Sequence, residues 1–211
     1  MQRIIQAISF VLLTSVSMAA QATPILGFII DGDTWTQGFS ITNSSDGGEF
    51  VTRFQLDISA TGTCFDTLQF PGDNISPCSF TGSSAVPFTP QGGTGATTGL
   101  VGLPVFADGA TLLDLFFTDF NPGEMFRWAI DVDFNNGAST VLGNQLIGAL
   151  ATIDFSDGQR LLGILSAVPG NTDASQFVVT GITSTPSDIP APSTLALLGL
   201  CIAGLAFRRK A

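Results

Sequence analysis

The sequence predicts an all-β fold, a single β-sandwich of jelly-roll-like or immunoglobulin-like topology, flanked by an N-terminal signal peptide and a C-terminal short transmembrane helix. Three observations carry that reading. Apolar residues alternate with polar ones at period two in several segments, Gly and Asn cluster between those segments, and the 18 phenylalanines are not arranged on any long amphipathic helix.

Phe54, Leu56 and Ile58 alternate with Arg53, Gln55, Asp57 and Ser59, which is the pattern of a half-buried strand. Phe126, Trp128, Ile130, Val132 and Phe134 alternate in the same way with Arg127, Ala129, Asp131 and Asp133. Turn signals stand at Asp46-Gly47-Gly48, Asn121-Pro122-Gly123, Asn135-Asn136-Gly137 and Ser156-Asp157-Gly158. They predict a hairpin of 112–120 with 124–134 across the Asn-Pro-Gly turn, and a second of 149–155 with 160–167. A late strand is expected over 177–182. The stretch 143–151 is the one helix candidate, and its glycines argue against it. Residues 81–104, rich in Gly, Thr, Ser and Pro and free of charge, read as a long loop or flexible insertion.

The two ends have a different character. Residues 1–22 hold Arg3, an apolar stretch from Ile4 to Val16, and then small residues, the build of a secretory signal peptide. Ala20 and Ala22 occupy the −3 and −1 positions of a signal-peptidase site and leave Thr23 as the mature start. The exported domain then spans 23–183. A Pro-rich spacer at 184–192 leads into an apolar segment at 193–207 and a basic tail at 208–211, where Arg208, Arg209 and Lys210 stop transfer. A helix over 193–207 rises roughly 22 Å, short of a hydrocarbon core of about 30 Å, so the anchor is weak.

Charge agrees with export of the middle. All 17 carboxylates lie between Asp31 and Asp188, opposed there only by Arg53, Arg127 and Arg160, a net charge of −14. The other four cations flank the two apolar segments, on the cytoplasmic side by the positive-inside rule. So few basic residues exclude a nucleic-acid partner. The absence of histidine removes Ser-His-Asp and Cys-His catalysis and histidine-ligated zinc, and no other nucleophile-base set is legible, so the chain is not expected to be an enzyme.

The tail resembles a known sorting signal. Ile189-Pro190-Ala191-Pro192-Ser193-Thr194-Leu195-Ala196-Leu197-Leu198-Gly199-Leu200 is similar to the V-P-E-P-S-T-L-A-L-L-G-L pattern of the PEP-CTERM proteins of Gram-negative bacteria, with Ala191 in place of the Glu. The resemblance implies recognition by an exosortase at Pro190, Ala191, Pro192 and Ser193, and removal of the tail. It implies passage from the inner membrane to the cell surface or extracellular matrix. With it comes a structural or adhesive role beside exopolysaccharide.

Two further sets of residues have chemistry to offer. Cys64 and Cys78 close a loop of 15 residues in a chain bound for an oxidising space, so a disulfide worth roughly 3 kcal/mol is expected. Asp131-Val132-Asp133-Phe134-Asn135 has the opening of a calcium loop, but Gly137 falls one position late and Leu142 stands where the closing Glu belongs. By alternation the Asp pair faces solvent, and a calcium-dependent carbohydrate-binding module is the alternative function. Asp31 and Asp33 form a second acidic pair. Glu49 and Glu124 are expected at the surface, and Trp35 and Trp128 read as core rather than as a sugar platform.

Overall fold

The computed structural model describes residues 24–36, 38–67, 85–91, 98–105, 107–136 and 140–184. The signal peptide with Ala20 and Ala22, Cys78, the sorting motif Pro190 to Ser193, the anchor and Arg208 to Lys210 lie outside the described residues.

Among the described residues eleven strands follow one another: β1 (Leu26–Asp31), β2 (Phe39–Asn43), β3 (Val51–Asp57), β4 (Thr63–Asp66), β5 (Thr89–Pro90), β6 (Leu112–Phe120), β7 (Met125–Ala129), β8 (Asp131–Phe134), β9 (Leu150–Phe155), β10 (Gln159–Val168) and β11 (Asn171–Ser184). The helical content of the described residues is two short 3-10 turns, at Ser59–Thr61 and Gly143–Leu146, the second where glycines argued against a true helix. The all-β expectation therefore holds. In place of the two large sheets of a sandwich, nine strands hydrogen-bond in one antiparallel order, β5-β7-β2-β1-β11-β10-β9-β3-β6, and among the described strands β4 pairs with β8 alone.

The large sheet curls on itself. β1 and β3 stand four strands apart in the order, a separation of about 19 Å in a flat sheet at roughly 4.8 Å per strand. Phe28 of β1 and Phe54 of β3 nevertheless meet edge to face with ring centroids 4.9 Å apart. The curl gives the period-two pattern a single inside. Phe54, Leu56, Ile58, Phe126, Trp128, Ile130 and Val132 are all fully buried, as their alternation predicts. Trp128 is the hub of this core, stacked on Phe39 at 5.2 Å and Phe126 at 5.6 Å, with Phe54 edge-on at 5.6 Å.

The hairpin of β9 and β10 forms as read, with Arg160 opposite Asp154. The Asn121-Pro122-Gly123 turn does not make a hairpin. β6 pairs with β3 and β7 pairs with β2 and β5, at opposite ends of the sheet order. The turn is instead taken over by Asn43: its side-chain amide donates to the carbonyls of Phe120 and Glu49, and its backbone exchanges bonds with Gly123 and Glu124. β6 and β7 then face one another through side chains, with Phe117 edge-on to Phe126 at 5.2 Å. A local turn signal was overridden by a buried side chain reaching it from a strand far off in sequence.

The predicted single strand over 124–134 is likewise two. It breaks at Ile130, so that β7 belongs to the large sheet and β8 to the ribbon. The described parts of 81–104 are packed rather than loose: Phe88 is buried and stacks on Trp128 at 6.1 Å, and Thr98 is fully buried. β11 runs for 14 residues, well beyond the expected 177–182, after a tight turn in which Gly170 takes φ +81°.

Candidate functional site

β4 and β8 form a two-stranded antiparallel ribbon in the register Thr63 to Phe134, Cys64 to Asp133, Phe65 to Val132 and Asp66 to Asp131. Alternation sends Phe65 and Val132 into the core, where both are fully buried. Cys64, Asp66, Asp131 and Asp133 point to the opposite side. That side is not solvent. Asp66, Asp131 and Asp133 retain 7%, 5% and 2% of their exposure, which corrects the expectation that the Asp pair lies on an outward face.

The cover comes from chain on both edges of the ribbon. The Phe65 amide donates to Ala110 and the Gly109 amide to Phe65, while beyond β8 the Asp131 amide donates to the carbonyl of Val86. Asp108, in the turn over β4, accepts from the Thr67 amide at 2.8 Å.

One carboxylate oxygen from each of Asp66, Asp131 and Asp133 lies within 4.8 Å of the others. Oδ1 of Asp131 is buried and has no hydrogen-bond partner. Burial, reinforced by the Asp108 and Asp133 carboxylates, raises the Asp66 carboxyl to about 7, and Asp66 shares hydrogen bonds with both of those neighbours. Burial, then Asp133, Asp66 and Asp33, raise Asp131 to about 7 against a bond from the Val132 amide. Burial raises Asp133 too, opposed by its hydrogen bond with Asp66.

The third predicted ligand, Asn135, does not share this burial. It is exposed, and its amide oxygen stands 3.1 Å from the Cys64 sulfur. Asp66, 65 positions before Asp131, is the residue that sequence reasoning missed. No motif contains it, and only the pairing of two short strands brings it to the site.

The other candidates disperse. Asp31 accepts from Asn171 at 2.8 Å, and Asp33 accepts from the Trp35 amide at 3.2 Å in a local turn. Glu49 is buried, contrary to the expectation for it, whereas Glu124 sits half-exposed and accepts from the Asn121 amide at 2.7 Å. Trp128 is core as expected, but Trp35 stands 43% exposed in a turn, so the two do not form a platform. The expected Cys64–Cys78 pairing involves Cys78, which lies outside the described residues.

These carboxyls give the domain a pH dependence. Asp66 and Asp131 hold protons more tightly folded than unfolded, so their contribution is fully present below the ordinary carboxylate value near 3.8 and is lost as pH rises through about 7. In buffer stripped of divalent cations, urea midpoints should fall between pH 5 and pH 8. A midpoint that rises over this range would contradict the burial described above.

A β-rich domain with an acidic cluster in its interior is the class that the fold and this cluster define. A family model for the PEP-CTERM protein-sorting motif matches residues 188–210, so the chain carries that motif, which implies exosortase processing and extracellular localisation. Comparison with curated proteins gives no match, and neither does comparison with solved structures.

Proposed function

We propose that the protein is an exosortase-sorted component of the cell surface or extracellular matrix, held transiently at the inner membrane by 193–207, with a structural or adhesive role beside exopolysaccharide. The observation that carries it is the sorting motif at 188–210, next to a domain in which 16 carboxylates meet three arginines. A non-enzymatic role is supported by the absence of histidine from the whole chain.

Mass spectrometry of the protein from its host tests the sorting. The expected product begins at Thr23 and ends upstream of Leu195. Full-length tails ending in Arg208 to Lys210, in cells that possess the processing enzyme, would establish a plain anchor instead. Ala191→Glu should raise the processed fraction. The alternative, a calcium-dependent carbohydrate-binding module, draws on the acidic cluster, but the burial of that cluster keeps a cation there out of reach of a sugar. Calcium-dependent retention on the host polysaccharide would favour the alternative.

A further inference from the structure

We propose that Asp66, Asp131 and Asp133 bind one calcium ion in the interior of the domain, clamping β4 to β8. The set differs from the calcium-loop pattern of the sequence, with Asp66 from another strand in place of Asn135, and it stands independently of the sorting reading.

Three buried carboxylates side by side are costly unless something positive joins them. Asp66 and Asp131 are direct cross-strand partners, a position where like charges oppose pairing. The charged groups acting on the cluster, Asp33 and Asp108, are carboxylates as well. Two of the domain's three arginines are engaged elsewhere: Arg53 with Asp114 at 2.6 Å and Arg160 with Asp154 at 2.9 Å. What singles out the cluster from ordinary acidic surface is Asp131, 5% exposed, whose Oδ1 is buried with no hydrogen-bond partner. A buried acceptor left unmet is what a cation would satisfy.

The spacing selects the ion. Two oxygens on one calcium at roughly 2.3–2.6 Å stand no more than about 5 Å apart. The three carboxylate oxygens lie within 4.8 Å of one another, so they reach a common ion with little movement. An all-oxygen set suits a hard cation rather than zinc or copper. Bound calcium would cross-link strands that the sheet order leaves apart from the other nine.

The test uses the full chain purified in detergent, stripped with a chelator and titrated with calcium chloride, followed by calorimetry and thermal melting. The expected result is one ion per chain and a melting temperature raised by roughly 5–10 °C at a 100-fold excess over Kd. Asp131→Asn should abolish both responses while leaving the chelated protein at least as stable as the parent at pH 8, since the substitution removes a like charge. Asp66→Asn should behave in the same way and carries the reading if Asp131→Asn does not fold. Asp46→Asn, in an exposed turn, should keep the full response. A parent chain that does not respond overturns the proposal, as does a response undiminished in both ribbon variants.

Discussion

Trp128→Ala is expected to cost about 3–5 kcal/mol, the range for deleting a buried large aromatic. Melting would fall by roughly 6–20 °C for a domain of this size. The indole is fully buried on β7 and touches rings from three other strands: Phe39 at 5.2 Å, Phe28 at 6.1 Å and Phe54 at 5.6 Å. Phe88 stacks on it from the segment before β5. Removing it opens a void where both halves of the curled sheet meet. Trp128→Phe should cost much less, because the indole nitrogen is buried without a hydrogen-bond partner and the smaller ring carries no such donor. Trp35→Ala, in its exposed turn, should stay within about 0.5 kcal/mol. Urea denaturation of the three variants checks the order, and equal losses for Trp35 and Trp128 would refute this account of the core.

Gly143→Ala is the second large expected effect, about 3 kcal/mol. Gly143 opens the 3-10 turn before β9, and its amide donates to the Gly32 carbonyl at 2.9 Å. A methyl group there would overlap the carbonyl oxygen of Ile30 and come within 3.1 Å of that of Asp173. Both are backbone atoms of the β1 and β11 neighbourhood and cannot rotate aside. A melting temperature lowered by roughly 6–12 °C is expected. Gly27→Ala in β1, where nothing stands within 4 Å, should leave stability nearly unchanged. If the two alanines behave alike, the close approach at Gly143 is not real.

Much of the strand content was legible, because period two is a local property and the sequence displays it cleanly at Phe54-Leu56-Ile58 and Phe126-Trp128-Ile130-Val132. The pairing was not. Asn121-Pro122-Gly123 has hairpin chemistry, yet Asn43 captures it from 77 residues away, and nothing near the turn announces that. The candidate site illustrates the same limit. Alternation placed Asp131 and Asp133 on the face opposite Val132, which is correct, but whether that face meets water depends on segments 86 and 108–110, which come from elsewhere in the chain. Asp66 was invisible for the same reason: short four-residue strands carry too little pattern to reveal a partner.

The placement of β11 between β1 and β10 has a consequence for how the molecule is made. β1 and β11 run antiparallel, with Ile29 beside Gln176 and Asp31 beside Ala174, so the Leu26 end of the first strand and the Ser184 end of the last leave the sheet at one pole. The seam between them joins the earliest and latest parts of the domain to emerge during secretion, and sequence-distant closure of this kind is slow. The curled sheet is therefore completed only once the final strand is available, and its two chain ends hang from the same side like the cords of a drawstring purse.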